Sequence, residues 1–131
     1  MEAKTRVLSE CEEMIMTIVW DLDSAPDLAA DLAETMKRVN AKFGKTWKPQ
    51  TVSTFLTRLV QKGFLTSYRK GRYVYYEPVV KKDEYCAAEI TRIADLYFAG
   101  DTEKLAHFVC AVKRYKNYLS ELRKIRNVEG V

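Results

Sequence analysis

Apolar residues in the first half of the chain recur three and four positions apart in three successive runs, each bounded by residues that start or stop a helix. Met14, Ile15, Ile18 and Val19 form the first stripe, which predicts a helix ending near Trp20. Ser9 followed by Glu12 has the form of a capping box at its start. A second stripe runs through Leu28, Leu32 and Met36, with Pro26 near its start, Ser24 or Asp27 as candidate caps, and Gly44 as the stop. The segment 37–45 lengthens this helix by one or two turns. A third stripe, Val52, Leu56, Leu59 and Val60, has Pro49 in its first turn and Lys62-Gly63 at its end, where glycine is free to take the left-handed conformation. Trp47 is expected to pack between the second and third helices.

The period then changes. Leu65 to Arg69 and Arg72 to Glu77 read as strands rich in Tyr, Val and Thr, with Lys70-Gly71 as a two-residue hairpin turn. Tyr73 and Tyr75 fall on one face of the second strand and Tyr76 on the other, which suits packing better than base stacking. After Pro78 helical spacing returns. Asp83 is a candidate cap for a helix carrying Cys86, Ile90, Ile93 and Tyr97, and Gly100-Asp101 breaks it. A last helix starts near Thr102 with Leu105, Phe108, Val109 and Val112 on one side, and Tyr115, Tyr118, Leu119, Leu122 and Ile125 continue the apolar face. The expected fold class is mainly α with a small β-hairpin. A winged helix-turn-helix domain occupies residues 1–80, and a helical dimerisation region occupies 81–131.

The polar side of the third helix carries the candidate chemistry. Gln50, Thr51, Thr54 and Arg58 lie opposite its apolar stripe, and Thr51, Thr54 and Arg58 at i, i+3 and i+7 point into one groove if the helix enters it. These four are the candidate base readers, with Lys48, Ser53 and Lys62 as supporting backbone contacts. At the hairpin tip Arg69, Lys70 and Arg72 would repel one another without a counterion, and a phosphate backbone supplies one. An ordinary solvated helix face and a charge-protected edge hairpin are the bland alternatives. Their succession in this order favours a recognition helix followed by a wing.

Charge placement says more than net charge. The chain of 131 residues has 22 basic and 18 acidic side chains, a formal net charge of +4, which permits nucleic-acid binding without requiring it. The segment 45–76, however, holds Lys45, Lys48, Arg58, Lys62, Arg69, Lys70 and Arg72 and no acidic residue. The C-terminal helices carry more large apolar groups than one small winged domain can cover. A second copy of the chain is the simplest cover, with Ile90, Ile93, Tyr97, Leu105, Phe108, Val109, Leu119 and Leu122 as the candidate dimerisation residues.

No nucleophile with a base, acid-base pair or cofactor cradle is legible, so an enzyme is not expected. The single histidine, His107, sits beside Phe108 on a helix, no glycine-rich phosphate loop occurs, and Glu12-Glu13 lie in a capped helix. Cys11, Cys86 and Cys110 lack the spacing of a paired-ligand site, so no metal and no cofactor are expected, and at least two of them read as buried small apolar side chains. With no signal peptide or long apolar span in view, the expected location is the cytoplasm, away from the membrane, with reduced thiols. The rival reading is a winged module that binds protein or RNA without specific duplex DNA binding.

The run Thr51, Val52, Thr54, Leu56, Arg58, Leu59, Lys62, Gly63, followed by a tyrosine-rich hairpin, resembles the penicillinase-repressor family of winged-helix regulators, which includes methicillin-resistance and copper-transport repressors. The likeness extends upstream to Leu8, Ser9, Glu12, Met14 and Trp20. Downstream it takes in Tyr97 to Gly100, Leu105, His107 to Val109, and Glu121 to Lys124. It implies a homodimeric transcriptional repressor on a pseudo-palindromic operator, of a β-lactam-resistance-type or stress operon. The clustered C-terminal cysteines of copper-responsive members are missing here. The resemblance also implies a sensor-linked protease as a partner. The family's inducing cut falls between an asparagine and a phenylalanine, and His107-Phe108 stands at the matching place, so an asparagine-selecting protease would meet an imidazole instead.

Overall fold

The computed structural model describes residues 7–25, 27–112, 120, 123 and 124. Along these the order is α1 (Glu10–Asp23), β1 (Ala30–Asp31), α2 (Leu32–Phe43), α3 (Pro49–Gln61), β2 (Leu65–Lys70), β3 (Tyr73–Pro78), α4 (Lys82–Tyr97) and α5 (Thr102–Val112). The described residues form two compact units that divide between Ala88 and Glu89, inside α4. The first unit is a winged helix-turn-helix.

The capping box at the head of α1 is complete: the Glu12 amide donates to Ser9 Oγ at 3.2 Å, and the Ser9 amide donates to Glu12 Oε1 at 2.7 Å. From there α1 buries Ile15, Met16, Ile18, Val19 and Leu22, and runs a turn past Trp20. Val39 of α2, Val52, Leu56 and Leu59 of α3, and Leu65 of β2 close on the same core. The third-helix stripe therefore faces inward as its spacing required, except that Val60 is only half buried.

The second helix begins later than its apolar spacing suggested. Asp31, not Ser24 or Asp27, is its cap, with Oδ1 accepting the Glu34 amide at 2.8 Å. Ser24 instead ends α1, and Pro26 lies outside the described residues. Ala30 and Asp31 just before the cap are extended, and they pair antiparallel with Tyr76 and Tyr75 of β3. The hairpin is thus the larger part of a three-stranded sheet in the order β1-β3-β2. Two residues are too short to show an alternating pattern, so nothing local announces the third strand.

The hairpin register also corrects the turn. Lys70 pairs with Tyr73, so Gly71-Arg72 are the loop residues and Lys70 ends the strand. Gly71 has φ +64° and Arg72 does not share a positive φ, the pattern of a II′ turn with glycine first.

In the second unit, Ala99 (φ 52°) and Gly100 (φ 77°) turn the chain after α4. Asp101 then caps α5 by accepting the Glu103 and Lys104 amides at 3.0 and 3.1 Å. Before α4 the Lys81 amide donates to Glu84 at 3.1 Å, which places the cap at Lys81, while Asp83 lies in the first turn. Among the described residues of this unit, Ala94 and Leu105 are buried. Among the described residues, no helix is long and apolar enough to cross a membrane.

Candidate nucleic-acid interface

One side chain of α2 braces the turn that leads into α3. The Asn40 carboxamide donates through Nδ2 to the Trp47 carbonyl at 3.1 Å and accepts the Trp47 amide through Oδ1 at 3.0 Å. Both arms of the amide are therefore used on the backbone of one residue in the connecting turn. Gly44, with φ 63° and ψ 35°, ends α2 in the left-handed conformation and lets the chain reverse toward that clamp. The Trp47 ring then packs on Phe55 of α3, with centroids 5.2 Å apart, while its backbone is held from α2 by Asn40.

On α3, Gln50, Thr54 and Arg58 are exposed, and Thr51 and Ser53 are half buried. Arg58 is steadied by its neighbour, its guanidinium carbon 5.8 Å from the Phe55 ring centroid. The Thr54 hydroxyl donates to the Gln50 carbonyl at 2.9 Å. With its proton so used, it can offer an incoming base edge an acceptor and a methyl group. Lys48 is the exposed N-cap and makes no side-chain cap bond, and no acidic residue stands in the first turn of α3. By contrast, α1 and α2 both have capped, acidic first turns.

The wing cations are all exposed but do not share a face. Arg69 lies opposite Val74 and Lys70 opposite Tyr73, so the two strand cations project from opposite sides of the hairpin, with Arg72 in the turn between them. Tyr68 stacks on Tyr75 at 5.6 Å, and Tyr73 follows at 6.4 Å on the same side. Tyr76 faces inward instead.

Lys62 behaves differently from the other basic candidates. Its ammonium donates to Glu12 Oε1 at 2.7 Å and to the Val7 carbonyl at 2.9 Å, and the Glu12 side chain is only 2% exposed. Burial pushes the Glu12 carboxyl up, but the hydrogen bonds from Lys62 and Ser9 outweigh it and hold the group below the usual carboxylate range. This pair ties the end of α3 to the start of α1. Sequence separation hid it, because Glu12 was already explained by its capping box. The Asn40 clamp was hidden too, since an asparagine inside a helix carries no signal of where its amide points. A third missed contact is Tyr85, whose hydroxyl donates to Glu13 Oε2 at 2.6 Å while its ring packs near Trp20 and Phe64.

The dimerisation candidates divide into two kinds. Leu105 is buried within its own unit, and Ile93 is half buried. Ile90, Tyr97, Phe108 and Val109 are exposed, Tyr97 to 71% and Phe108 to 55%, and Leu96, which spacing did not single out, is exposed with them. Leu119 and Leu122 lie outside the described residues, as do Tyr115, Tyr118 and Ile125. Phe98 packs against Phe108 with centroids 5.6 Å apart. His107 is exposed. The expectation of at least two buried cysteines fails: Cys86 and Cys110 occupy exposed positions on α4 and α5, and Cys11 is only half buried.

A clamped helix-turn-helix, a polar third helix without acids and a basic hairpin following it define the winged helix-turn-helix class of DNA-binding proteins. A family model described as the penicillinase repressor matches residues 8–127, and the chain belongs to that family. The methicillin resistance regulatory protein MecI of Staphylococcus aureus is 28% identical over 128 residues, 97% of this chain and 98% of that protein. The penicillinase repressor of Bacillus licheniformis is 26% identical over 93 residues, 71% of this chain and 67% of that protein. The solution structure of the DNA binding domain of the repressor BlaI matches with a TM-score of 0.50 at 27% identity, covering 64% of this chain and 94% of that domain.

Proposed function

We propose that this chain is a homodimeric transcriptional repressor that lays α3 of each copy into the major groove of a pseudo-palindromic operator. In this reading Gln50, Thr51, Thr54 and Arg58 read base edges. Lys48 and Ser53 hold the adjacent backbone, and Arg69, Lys70 and Arg72 bracket flanking phosphates from both faces of the wing. Lys62 is left out of the contacts because its charge is already neutralised by Glu12. The observation that carries the reading is the Asn40 clamp. It braces the turn into a polar, acid-free helix within the same compact unit as the wing.

The two-copy arrangement rests on the exposed Ile90, Leu96, Tyr97, Phe108 and Val109, which a single chain leaves in water. The division of labour follows: residues 1–80 bind DNA and 81–131 dimerise. Two linked half-site contacts would then give the pair the affinity that one wing and one helix lack. Release by a sensor-linked protease cutting at His107-Phe108 fits the exposure of both residues, although the peptide bond lies within α5 and that helix must open locally before a protease can hold it. The experiment that tests the function is selection of bound sites from random duplex DNA. Enrichment of a two-fold symmetric sequence is expected, and an unenriched pool would overturn the proposal.

A further inference from the structure

An open cleft of about 390 Å³ lies within the winged unit between the start of α2, the start of α3 and the tip of the wing. Its walls include Leu32, Met36, Pro49, Val74 and Tyr76, and its volume is in the range of small-molecule sites. The Tyr76 phenol, which burial pushes above its ordinary value, is an uncharged part of this wall.

Two charged residues line the cleft, and they are not equivalent. Asp31 is the cap of α2, with Oδ1 held by the Glu34 amide at 2.8 Å. Arg72 has no carboxylate partner among the described residues. Its guanidinium carbon stands 5.5 Å from the centroid of the Tyr73 ring, another lining residue. A planar fork of donors on an aromatic support, next to an apolar hollow, matches a carboxylate with a hydrocarbon or aromatic body.

We propose that this cleft is an effector site for a small apolar carboxylate, its body among Leu32, Met36, Val74 and Tyr76 and its carboxylate on Arg72, and that occupancy weakens DNA binding. The second half rests on the function proposed above. Arg72 is there a phosphate contact and Pro49 is the first residue of the reading helix, so an occupied cleft removes one contact and crowds the other. Reciprocity then requires DNA to weaken the effector by the same factor.

The test uses the full-length chain with 4-phenylbutyrate as the probe, and 4-phenylbutanol and 4-phenylbutylamine as its neutral and cationic counterparts. Amide chemical shifts of Ala33, Tyr73 and Val74 are expected to move with 4-phenylbutyrate, which should bind about tenfold or more tightly than the alcohol, the scale of a lost charge-assisted hydrogen bond. Ala33→Leu narrows the cleft from α2 without altering any proposed DNA contact. It should abolish the probe response while DNA affinity is retained. With the probe saturating, affinity for a selected duplex should fall several-fold in the parent and not in Ala33→Leu. Equal or tighter binding of the alcohol or amine, shifts located elsewhere, or indifference to Ala33→Leu would overturn the site. Unchanged DNA affinity with the probe bound would overturn its coupling. A chain that binds no selected duplex, with or without probe, would instead refute the proposed function, while the shift titration still decides whether the carboxylate binds.

Discussion

Asn40→Ala removes both hydrogen bonds that hold the turn between α2 and α3, to the Trp47 carbonyl at 3.1 Å and from the Trp47 amide at 3.0 Å. Each such bond contributes about 0.5–1.5 kcal/mol net. Trp47 is half buried, so water can reach part of what is released, and the expected loss is about 2 kcal/mol. In urea denaturation this lowers the midpoint with little change in slope, because the surface exposed on unfolding is nearly the same. The functional consequence is distinct from that of losing a base reader. With its entry angle loosened, α3 should bind every sequence more weakly while the ranking of sequences is kept. Asn40→Asp sharpens the test: it retains an acceptor for the Trp47 amide but sets a carboxylate against the Trp47 carbonyl, and should rescue neither stability nor affinity. If Asn40→Ala unfolds within about 0.5 kcal/mol of the parent, below the cost of even one such bond, and binds DNA equally well, the clamp does not position the helix.

Arg58→Ala should lower affinity and flatten sequence preference, since a bidentate arginine-guanine contact is worth about 1–3 kcal/mol of discrimination; Lys70→Ala should weaken all sequences alike and, losing one phosphate contact in each copy, reduce the salt slope by about two. Competition binding against base-substituted duplexes separates the two. Lys62→Met strands the buried Glu12 carboxyl and should cost about 1–3 kcal/mol at neutral pH by denaturant unfolding. Because Glu12 titrates below the usual carboxylate range in the folded chain, its stabilisation is complete above the unfolded value of about 4.3 and is lost as pH falls through the folded value. The parent should therefore lose stability toward pH 3 more steeply than Lys62→Met does. Tyr97→Glu places a charge at a position 71% exposed in the single chain, so the fold should survive while sedimentation shows a monomer; a mass unchanged from that of a dimeric parent would remove Tyr97 from the interface.

Much of this architecture was legible because helices and hairpins announce themselves locally. The Ser9-Glu12 box, the left-handed Gly44, Gly63 and Gly100 and the α3 stripe each depend on residues a few positions apart, and each stands where spacing put it. Contacts between distant segments were not legible. The two-residue strand Ala30–Asp31 exists only because β3 lies beside it, so its residues were read as helix. Lys62 looked like a phosphate contact until its partner, fifty positions away, came into view. The cysteines illustrate the same limit: Cys86 and Cys110 sit on apolar-patterned helices, yet a helix shows its partner only one face.

The most direct measurement of the central claim is the affinity of the full-length chain for a selected duplex as a function of salt. Lys48, Arg69, Lys70 and Arg72 from two copies give eight cationic contacts, and counterion release then sets a slope of about −7 in log affinity against log salt. A slope near that value, with a scrambled duplex bound far more weakly at the same salt, is the expected result. A slope shallower than about −2, or equal affinity for the scrambled duplex, would contradict a paired winged-helix reader of duplex DNA.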